Sequence, residues 1–173
     1  MEGVYDNFPN LYHGIALFSI RTSPKNLQKI MIQLFSRINR EDEFLNVLTP
    51  ASRGIRLVPE IGIAEGIAFN FIDEEERDRW LENLEKKVFE VLDFIWIMRY
   101  YVPGKEKDKP LKFDYYLLRF IFRRGAMELR VHHEKGPRRL STEDLIRLIS
   151  DELNRELEGN GEPRLEIESL SAF

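Results

Sequence analysis

The chain has 173 residues, of which 43% are apolar and 32% charged, and its formal net charge is −4. The apolar fraction excludes a disordered chain, and no stretch reaches the roughly 20 apolar residues of a membrane-spanning helix. Cysteine is absent, which excludes disulfides, zinc–thiolate sites and thiol nucleophiles.

The length predicts a single domain over residues 1–173. The first ten residues lack the basic stretch and apolar run of a signal peptide, so we expect a cytoplasmic protein with no membrane partner. Glutamine occurs only at Gln28 and Gln33 among many charged residues, a bias typical of thermophilic proteins.

The first predicted elements are a strand and an amphipathic helix. Leu11–Ile20 has the aromatic and β-branched composition of a buried strand. Ser23 is placed to cap a helix whose first residue is Pro24. The apolar face of this helix consists of Leu27, Ile30, Met31, Leu34, Phe35 and Ile38.

A polar loop over Asn39–Ser52 leads to a predicted short strand near Gly54–Val58, which Pro59 ends or bends. Residues 61–72 alternate and form either one strand or a hairpin that turns at Glu65-Gly66. A single strand would have Ile61, Ile63, Ile67, Phe69 and Phe71 on one face, with Gly62, Ala64, Gly66 and Ala68 on the other.

Asp73, with Glu76 three residues later, predicts a capping box at the start of a second helix. We predict that this helix ends near Asp93 and that a strand follows over Phe94–Val102. One long helix through both segments is the alternative. A charged loop then occupies Pro103–Pro110.

The next segment predicts a β-hairpin around a two-residue turn at Arg124-Gly125. In this register, paired residue numbers add up to 249, so that Phe120 faces Leu129 and Leu118 faces Val131. A slip of one residue would mix apolar and charged residues on both faces, which favours this register.

Ser141 is placed to cap a third helix, and Arg164–Leu170 predicts a final strand. The element order is therefore βαββαβ followed by ββαβ. This order predicts an α+β fold with a mainly antiparallel sheet: a ferredoxin-like core over about 11–102, extended by a ββαβ unit over about 112–170.

Charge is unevenly distributed along the chain. Residues 1–98 carry a net charge of −5, residues 99–139 carry +7, and residues 140–173 carry −6. Such a basic segment suits an anionic partner, and acidic flanks that fold against it are the alternative explanation.

The predicted register places Arg119 directly opposite Arg130, an unfavourable pair unless a negative charge compensates it. Glu128 on the diagonal, another acidic element of the chain, or an external phosphate or carboxylate would each provide that charge. The residues that we expect to contribute to an anion- or partner-binding face are Arg119, Arg130, Arg123, Arg124, Arg138, Arg139, Tyr115 and Tyr101.

The leading functional hypothesis is a non-catalytic binding or assembly module that acts through this face as a homodimer. The alternative is binding of RNA or single-stranded nucleic acid through residues 99–139, since basic and aromatic residues alternate there. An acidic protein is a further possible partner for this segment.

An enzyme or small-molecule sensor is a third hypothesis. Its weak catalytic candidate is Glu65, which stands between small residues where burial would raise the pKa of its carboxyl. A turn residue in water is the alternative. No phosphate-binding loop, serine-nucleophile motif or metal-ligand spacing is present, so we expect no metal and no cofactor.

Overall fold

The computed structural model describes residues 1–40 and 54–173, which contain three helices and eight strands. In chain order these are β1 (Gly14–Ser19), α1 (Pro24–Arg40), β2 (Arg56–Glu65), β3 (Ala68–Phe71), α2 (Glu74–Lys86), β4 (Val91–Val102), β5 (Lys109–Pro110), β6 (Asp114–Arg123), β7 (Ala126–Lys135), α3 (Thr142–Gly159) and β8 (Glu166–Ala172). The α+β class is confirmed. The loop prediction for Asn39–Ser52 lies outside the described residues, except that Asn39 and Arg40 belong to α1.

All strand pairs are antiparallel, in the order β3-β2-β4-β6-β7-β1-β8, and β5 pairs with the end of β4. Strand β1 pairs with β7 and β8. A ferredoxin-like core would place β1 among the strands of the first six elements, so that topology is not confirmed. The apolar pattern identifies β1 as a strand, but its partners come from the far end of the chain.

Two split β-α-β units lie on the two sides of the sheet, and β6 lies between them. Strands β3 and β4, joined by α2, flank β2, while β7 and β8, joined by α3, flank β1. Helix α1 connects the two units, and it packs against both other helices. The three helices contribute to one hydrophobic core with the sheet.

Phe35 of α1 lies at the centre of that core. Its ring centroid is 5.0 Å from that of Phe94, 5.4 Å from that of Trp96 and 6.4 Å from that of Phe120. Alternate residues of β4 and β6 point toward the helices, as the pleat of a strand requires. The opposite surface of the sheet, which carries Ile95, Leu117 and their neighbours on each strand, is called the outer face below.

The predicted hairpin register is confirmed. Phe120 pairs with Leu129, Leu118 with Val131, and Arg119 with Arg130, in β6 and β7. The register shifts by one residue only between Tyr115 and Tyr116, where Tyr115 pairs with Lys135. The predicted N-cap bonds form, since the N–H groups of Asn26, Glu76 and Asp144 donate to the side chains of Ser23, Asp73 and Ser141 at 3.2, 2.8 and 3.1 Å. The capping box at Asp73 is not completed, because its N–H donates to the carbonyl of Phe71 and the Glu76 carboxylate accepts from Arg79 and Trp80.

The boundary between α2 and β4 differs from the prediction, because α2 ends at Lys86 and β4 begins at Val91. The buried amide of Gln28 binds the chain between them: its Nε2 donates to the carbonyl of Phe89 at 2.7 Å, and its Oε1 accepts from the N–H of Phe89 at 3.1 Å. Gln28 lies 61 residues before Phe89 in the chain. Its amide provides hydrogen-bond partners for the N–H and carbonyl of Phe89, which lies outside the helix.

Residues 61–72 form the hairpin alternative. Strands β2 and β3 pair from Gly62–Phe71 to Glu65–Ala68 across a two-residue turn. Phe69 and Phe71 therefore share a face with Ala64 and Gly62, which corrects the single-strand assignment of faces. Strand β2 also continues through Pro59, where β3 does not reach, so the missing N–H of proline lies at a sheet edge.

Candidate functional site

An acidic residue of the chain itself compensates Arg119. Strand β4 places Asp93 directly opposite Arg119, whose Nε and Nη2 donate to the two carboxylate oxygens at 2.8 and 2.7 Å. The Asp93 side chain is fully buried. Its hydrogen bond raises the pKa of Arg119, so this guanidinium stays charged.

Arg130 is compensated by Glu128, two residues earlier on the same strand, whose carboxylate accepts from its Nε at 2.7 Å. Its Nη1 donates to the hydroxyl of Tyr12 at 3.3 Å. The two opposed arginines therefore each have a carboxylate partner within the chain. The hypothesis that this pair binds an external anion loses its main support.

Residues 1–13 lie across these arginines on the outer face. The guanidinium of Arg119 lies 4.4 Å from the ring centroid of Phe8, and that of Arg130 lies 5.2 Å from the ring of Tyr12. The N–H of Tyr5 donates to Asp93 at 2.7 Å, and the carbonyl of Gly3 accepts from the N–H of Asp93 at 2.6 Å. The outer face around Asp93, Arg119 and Arg130 is thereby covered.

The other predicted arginines separate into two groups at opposite ends of the sheet. Arg123 ends β6 and Arg124 lies in the turn, both exposed. Arg138 and Arg139 follow β7. Their backbone N–H groups donate to the side chain of Asp114, the first residue of β6. A ten-residue strand separates the groups by about 30 Å. The eight predicted residues therefore do not form one cluster.

Asp114 is a buried hydrogen-bond centre that sequence reasoning missed. Its carboxylate accepts from the hydroxyl of Tyr100 at 2.5 Å and from Nε2 of His133 at 2.8 Å. It also accepts from the backbone N–H groups of Arg138 and Arg139 at 2.6 and 2.8 Å. Burial raises the pKa of Tyr100, so its phenol remains a donor. In the sequence Asp114 is only a polar residue before a strand, with no signal of its partners.

This centre fixes the loop that carries the two arginines. Arg138 has a φ of +54°, an uncommon conformation for a residue with a side chain. Gly136 has a φ of +111°, and a Cβ there would lie 2.3 Å from the carbonyl oxygen of Phe113. The chain therefore turns tightly against the start of β6 and presents Arg138 and Arg139 at that end of the sheet.

The basic residues of the 99–139 segment converge at the same end. Strand β4 ends there, β6 begins there, and β7 ends there. We call this group the basic end, and it consists of Arg99, Lys105, Lys107, Lys109, Lys112, Lys135, Arg138 and Arg139.

Within the described residues, no member of the basic end makes an ion pair with an acidic side chain, although Nη1 of Arg138 donates to the main-chain oxygen of Phe173 at 2.9 Å. Five acidic residues lie between them in the chain. Asp108 pairs with Arg56 at 2.8 Å, Glu134 with His132 at 3.1 Å and Glu128 with Arg130, Asp114 is buried, and Glu106 is exposed between Lys105 and Lys107. The acidic flanks instead bind the basic helix α1, whose Arg37 pairs with Glu156 of α3. Acidic residues of the chain therefore neutralise Arg119, Arg130 and residues of α1, but the described ones form no ion pair with the basic end.

The part of the outer face next to the basic end is open and carries aromatic rings. Tyr101 and Arg99 line a cavity of about 230 Å³ together with Arg56, Val58 and Asp108. An apolar groove of about 340 Å³ follows across β2, β3 and β4. Its lining is Glu60, Ile61, Gly62, Phe69, Phe71, Ile95 and Ile97.

Tyr115 lies on the same face in β6, partly exposed, with Nζ of Lys135 5.0 Å from its ring centroid. Tyr101 is also partly exposed, and its ring lies 6.2 Å from that of Phe113. The structure therefore brings two of the predicted aromatic residues to the border of the basic end.

Glu65 lies at the end of β2 with its side chain 40% exposed. Its carboxylate accepts from Arg79 at 2.9 Å and from the amide of Asn70 at 3.0 Å. The sequence alone does not place Arg79 or Asn70 beside Glu65, because the face that Glu65 occupies depends on the hairpin. This surrounding is that of a surface ion pair.

No group of three or more histidine, aspartate or glutamate side chains that could hold a metal ion occurs in residues 1–40 and 54–173. Over the same residues, no helix is both long and apolar enough to cross a membrane.

Comparison with known proteins gives no relative from which a function could be transferred. No family model matches the chain. No curated protein and no solved structure matches it either.

The Asp93–Arg119 pair can be tested by a double-mutant cycle. Asp93→Asn is expected to lower the free energy of unfolding by about 3 kcal/mol, because it leaves the charge of Arg119 without its buried partner. Arg119→Met should have a comparable effect. In urea unfolding, the double variant should lose about 1–3 kcal/mol less than the sum of the two single variants. Additive losses would show that the two groups are not coupled.

His13 predicts a pH dependence of stability. Partial burial, and then the charge of Arg138 and the neighbouring rings of His132 and His133, lower the pKa of His13. Its Nδ1 accepts from the N–H of His133 at 2.9 Å, which requires an unprotonated nitrogen. The unfolded ring has a pKa near 6.5, so protons favour the unfolded chain, and stability falls as the pH drops below about 6.5.

We expect the free energy of unfolding to be lower at pH 5.5 than at pH 7.5. His13→Asn keeps an acceptor near the position of Nδ1 but does not titrate, so the loss should be smaller in that variant. Urea unfolding at both pH values measures it. Equal losses in the parent and the variant would refute this role of His13.

Proposed function

We propose that this protein is a non-catalytic binding module that holds an extended anionic partner at the basic end. The observation that carries this proposal is the convergence there of eight cationic side chains that make no ion pair with the described residues. By contrast, Arg119 and Arg130 in the centre of the outer face have carboxylate partners.

The distribution of acidic residues supports binding at one end only. Helices α2 and α3 each contain six acidic residues against three and two basic ones. These helices lie on the other side of the sheet, where they repel a polyanion. Among the described residues, the basic end is thus the surface suited to an anionic polymer, although the net charge of the chain is −4. Its position determines how the polymer lies on the protein.

A charge-reversal pair with a matched control tests this function. Lys107 and Lys109 belong to the basic end, whereas Arg123 and Arg124 lie at the opposite end, and all four are exposed. Lys107→Glu with Lys109→Glu should reduce binding of a labelled single-stranded oligonucleotide roughly tenfold or more. The slope of log affinity against log salt should fall by about two, since two phosphate contacts are lost.

Arg123→Glu with Arg124→Glu makes the same change in net charge and should leave affinity and salt slope nearly unaltered. Fluorescence anisotropy between 50 and 200 mM salt measures both. Equal losses in the two double variants would show a non-specific effect of net charge. If the parent chain bound neither this oligonucleotide nor heparin in a salt-dependent way, the proposed function would be refuted.

Self-association is the second candidate, and the apolar groove favours it. Phe71 is 46% exposed at the border of this groove, next to an edge of the sheet. Glu60 and Arg99 lie on the neighbouring strands β2 and β4. Under two-fold symmetry the Glu60 of one copy would meet the Arg99 of the other, which makes the surface self-complementary. Because Arg119 and Arg130 are covered, the homodimer hypothesis moves from those arginines to this groove.

Light scattering over a range of concentrations tests this candidate. The mass should rise from 20.6 kDa toward twice that value, and Phe71→Glu should abolish the rise by placing a charge in the interface. Phe173→Glu is the matched control, because Phe173 is 75% exposed beyond β8, at the opposite edge. A mass of 20.6 kDa at every concentration would exclude the dimer.

A further inference from the structure

The aromatic residues beside the basic end alternate between buried and outward-facing positions. Tyr100 and Tyr116 are buried. The hydroxyl of Tyr100 donates to Asp114, and that of Tyr116 donates to the carbonyl of Leu140. Tyr101 and Tyr115 follow and precede them on the outer face, where their rings are partly exposed. The buried pair fixes the backbone, so the outer pair is presented from rigid strands.

The spacing of the two outer tyrosines follows from the register. Tyr115 pairs with Ile97 on β4, and Tyr101 lies four residues further along that strand. One strand spacing and four residue steps place their Cα atoms about 14 Å apart. At the stacked repeat of about 3.4 Å per nucleotide, this distance spans roughly four nucleotides.

Cationic groups lie beside and between these rings. Lys135 contacts the ring of Tyr115, and Arg99 lies between Tyr101 and Ile97 with its Nε bound to the carbonyl of Val58 at 3.2 Å. Exposed π faces next to positive charges are the combination that binds a sugar–phosphate strand with unpaired bases. An acidic peptide would use the charges but leave the π faces without a function.

We propose that the anionic partner is a single-stranded nucleic acid, whose bases stack on Tyr101 and Tyr115 while its phosphates contact the basic end. This inference rests on the proposed function. Arg99 and Ile97 lie between the two tyrosines along β4, and Glu60 of β2 stands opposite Ile97. Stacking of bases on an aromatic ring is tolerant of sequence. A duplex hides its base faces and binds through its phosphates alone.

The test compares a variant that retains the aromatic ring with one that removes it. Tyr115→Leu and Tyr101→Leu should each lower the affinity for a labelled 12-nucleotide oligouridylate at least fivefold, because each removes one stacking platform. Tyr115→Phe and Tyr101→Phe should stay within about twofold of the parent. Thermal unfolding of all four variants establishes that they are folded.

Three outcomes distinguish the two levels of the proposal. If the leucine variants bind oligouridylate as tightly as the parent, or if a 12-base-pair duplex binds equally well, stacking is refuted while polyanion binding stands. If the parent binds neither oligouridylate nor heparin at low salt, the proposed function fails. The expected result is loss of oligouridylate binding in the leucine variants with unchanged elution from heparin, which carries no bases.

Discussion

The buried ion pair between Asp93 and Arg119 decides which part of the outer face remains available to a partner. The Asp93 carboxylate binds the guanidinium with both oxygens and also accepts from the N–H of Tyr5, while the N–H of Asp93 donates to the carbonyl of Gly3. One residue therefore neutralises the arginine and holds segment 1–13 over it. A buried charge without these partners would be strongly unfavourable. This cover leaves accessible the basic end and the adjoining part of the outer face, where Tyr101 and Tyr115 are partly exposed.

The hairpin shows how far sequence reasoning reaches, and Asp93 shows where it stops. The opposition of Arg119 and Arg130 follows from a two-residue turn and an apolar alternation, both local features, and the structure has that register. Asp93 was expected in the last turn of a helix, where it could not meet Arg119. The helix ends seven residues earlier, and Gln28, far away in the chain, binds the backbone of Phe89 just after that end. An error at one boundary thus concealed the partner of the central arginine.

The basic end could be inferred from sequence only in part. Counting charges identifies the +7 segment, but this segment contains three separate environments: a neutralised pair, an exposed turn and the basic end. Sorting them requires the pairing of β4 with β5 and β6, together with the loop that Asp114 fixes through Arg138 and Arg139. The order of the strands is equally non-local, since β1 pairs with strands that lie more than 100 residues later. The periodicity of apolar residues identifies helices and strands. Which strands lie side by side depends on contacts between residues far apart in the chain.

Net charge is therefore a poor guide to what this chain binds. Helix α1 carries four basic residues and no acidic ones, and it lies between the acidic helices α2 and α3, bound by Lys25–Glu85 and Arg37–Glu156. These pairs use acidic charge within the helical layer, where it cannot reach the cations at the basic end. Electrostatic attraction falls steeply within about 10 Å at ordinary salt, so a polymer at that end experiences the local cations and not the total of −4. The separation of acidic charge in the helical layer from cations at the basic end, more than the composition of the chain, favours an anionic partner.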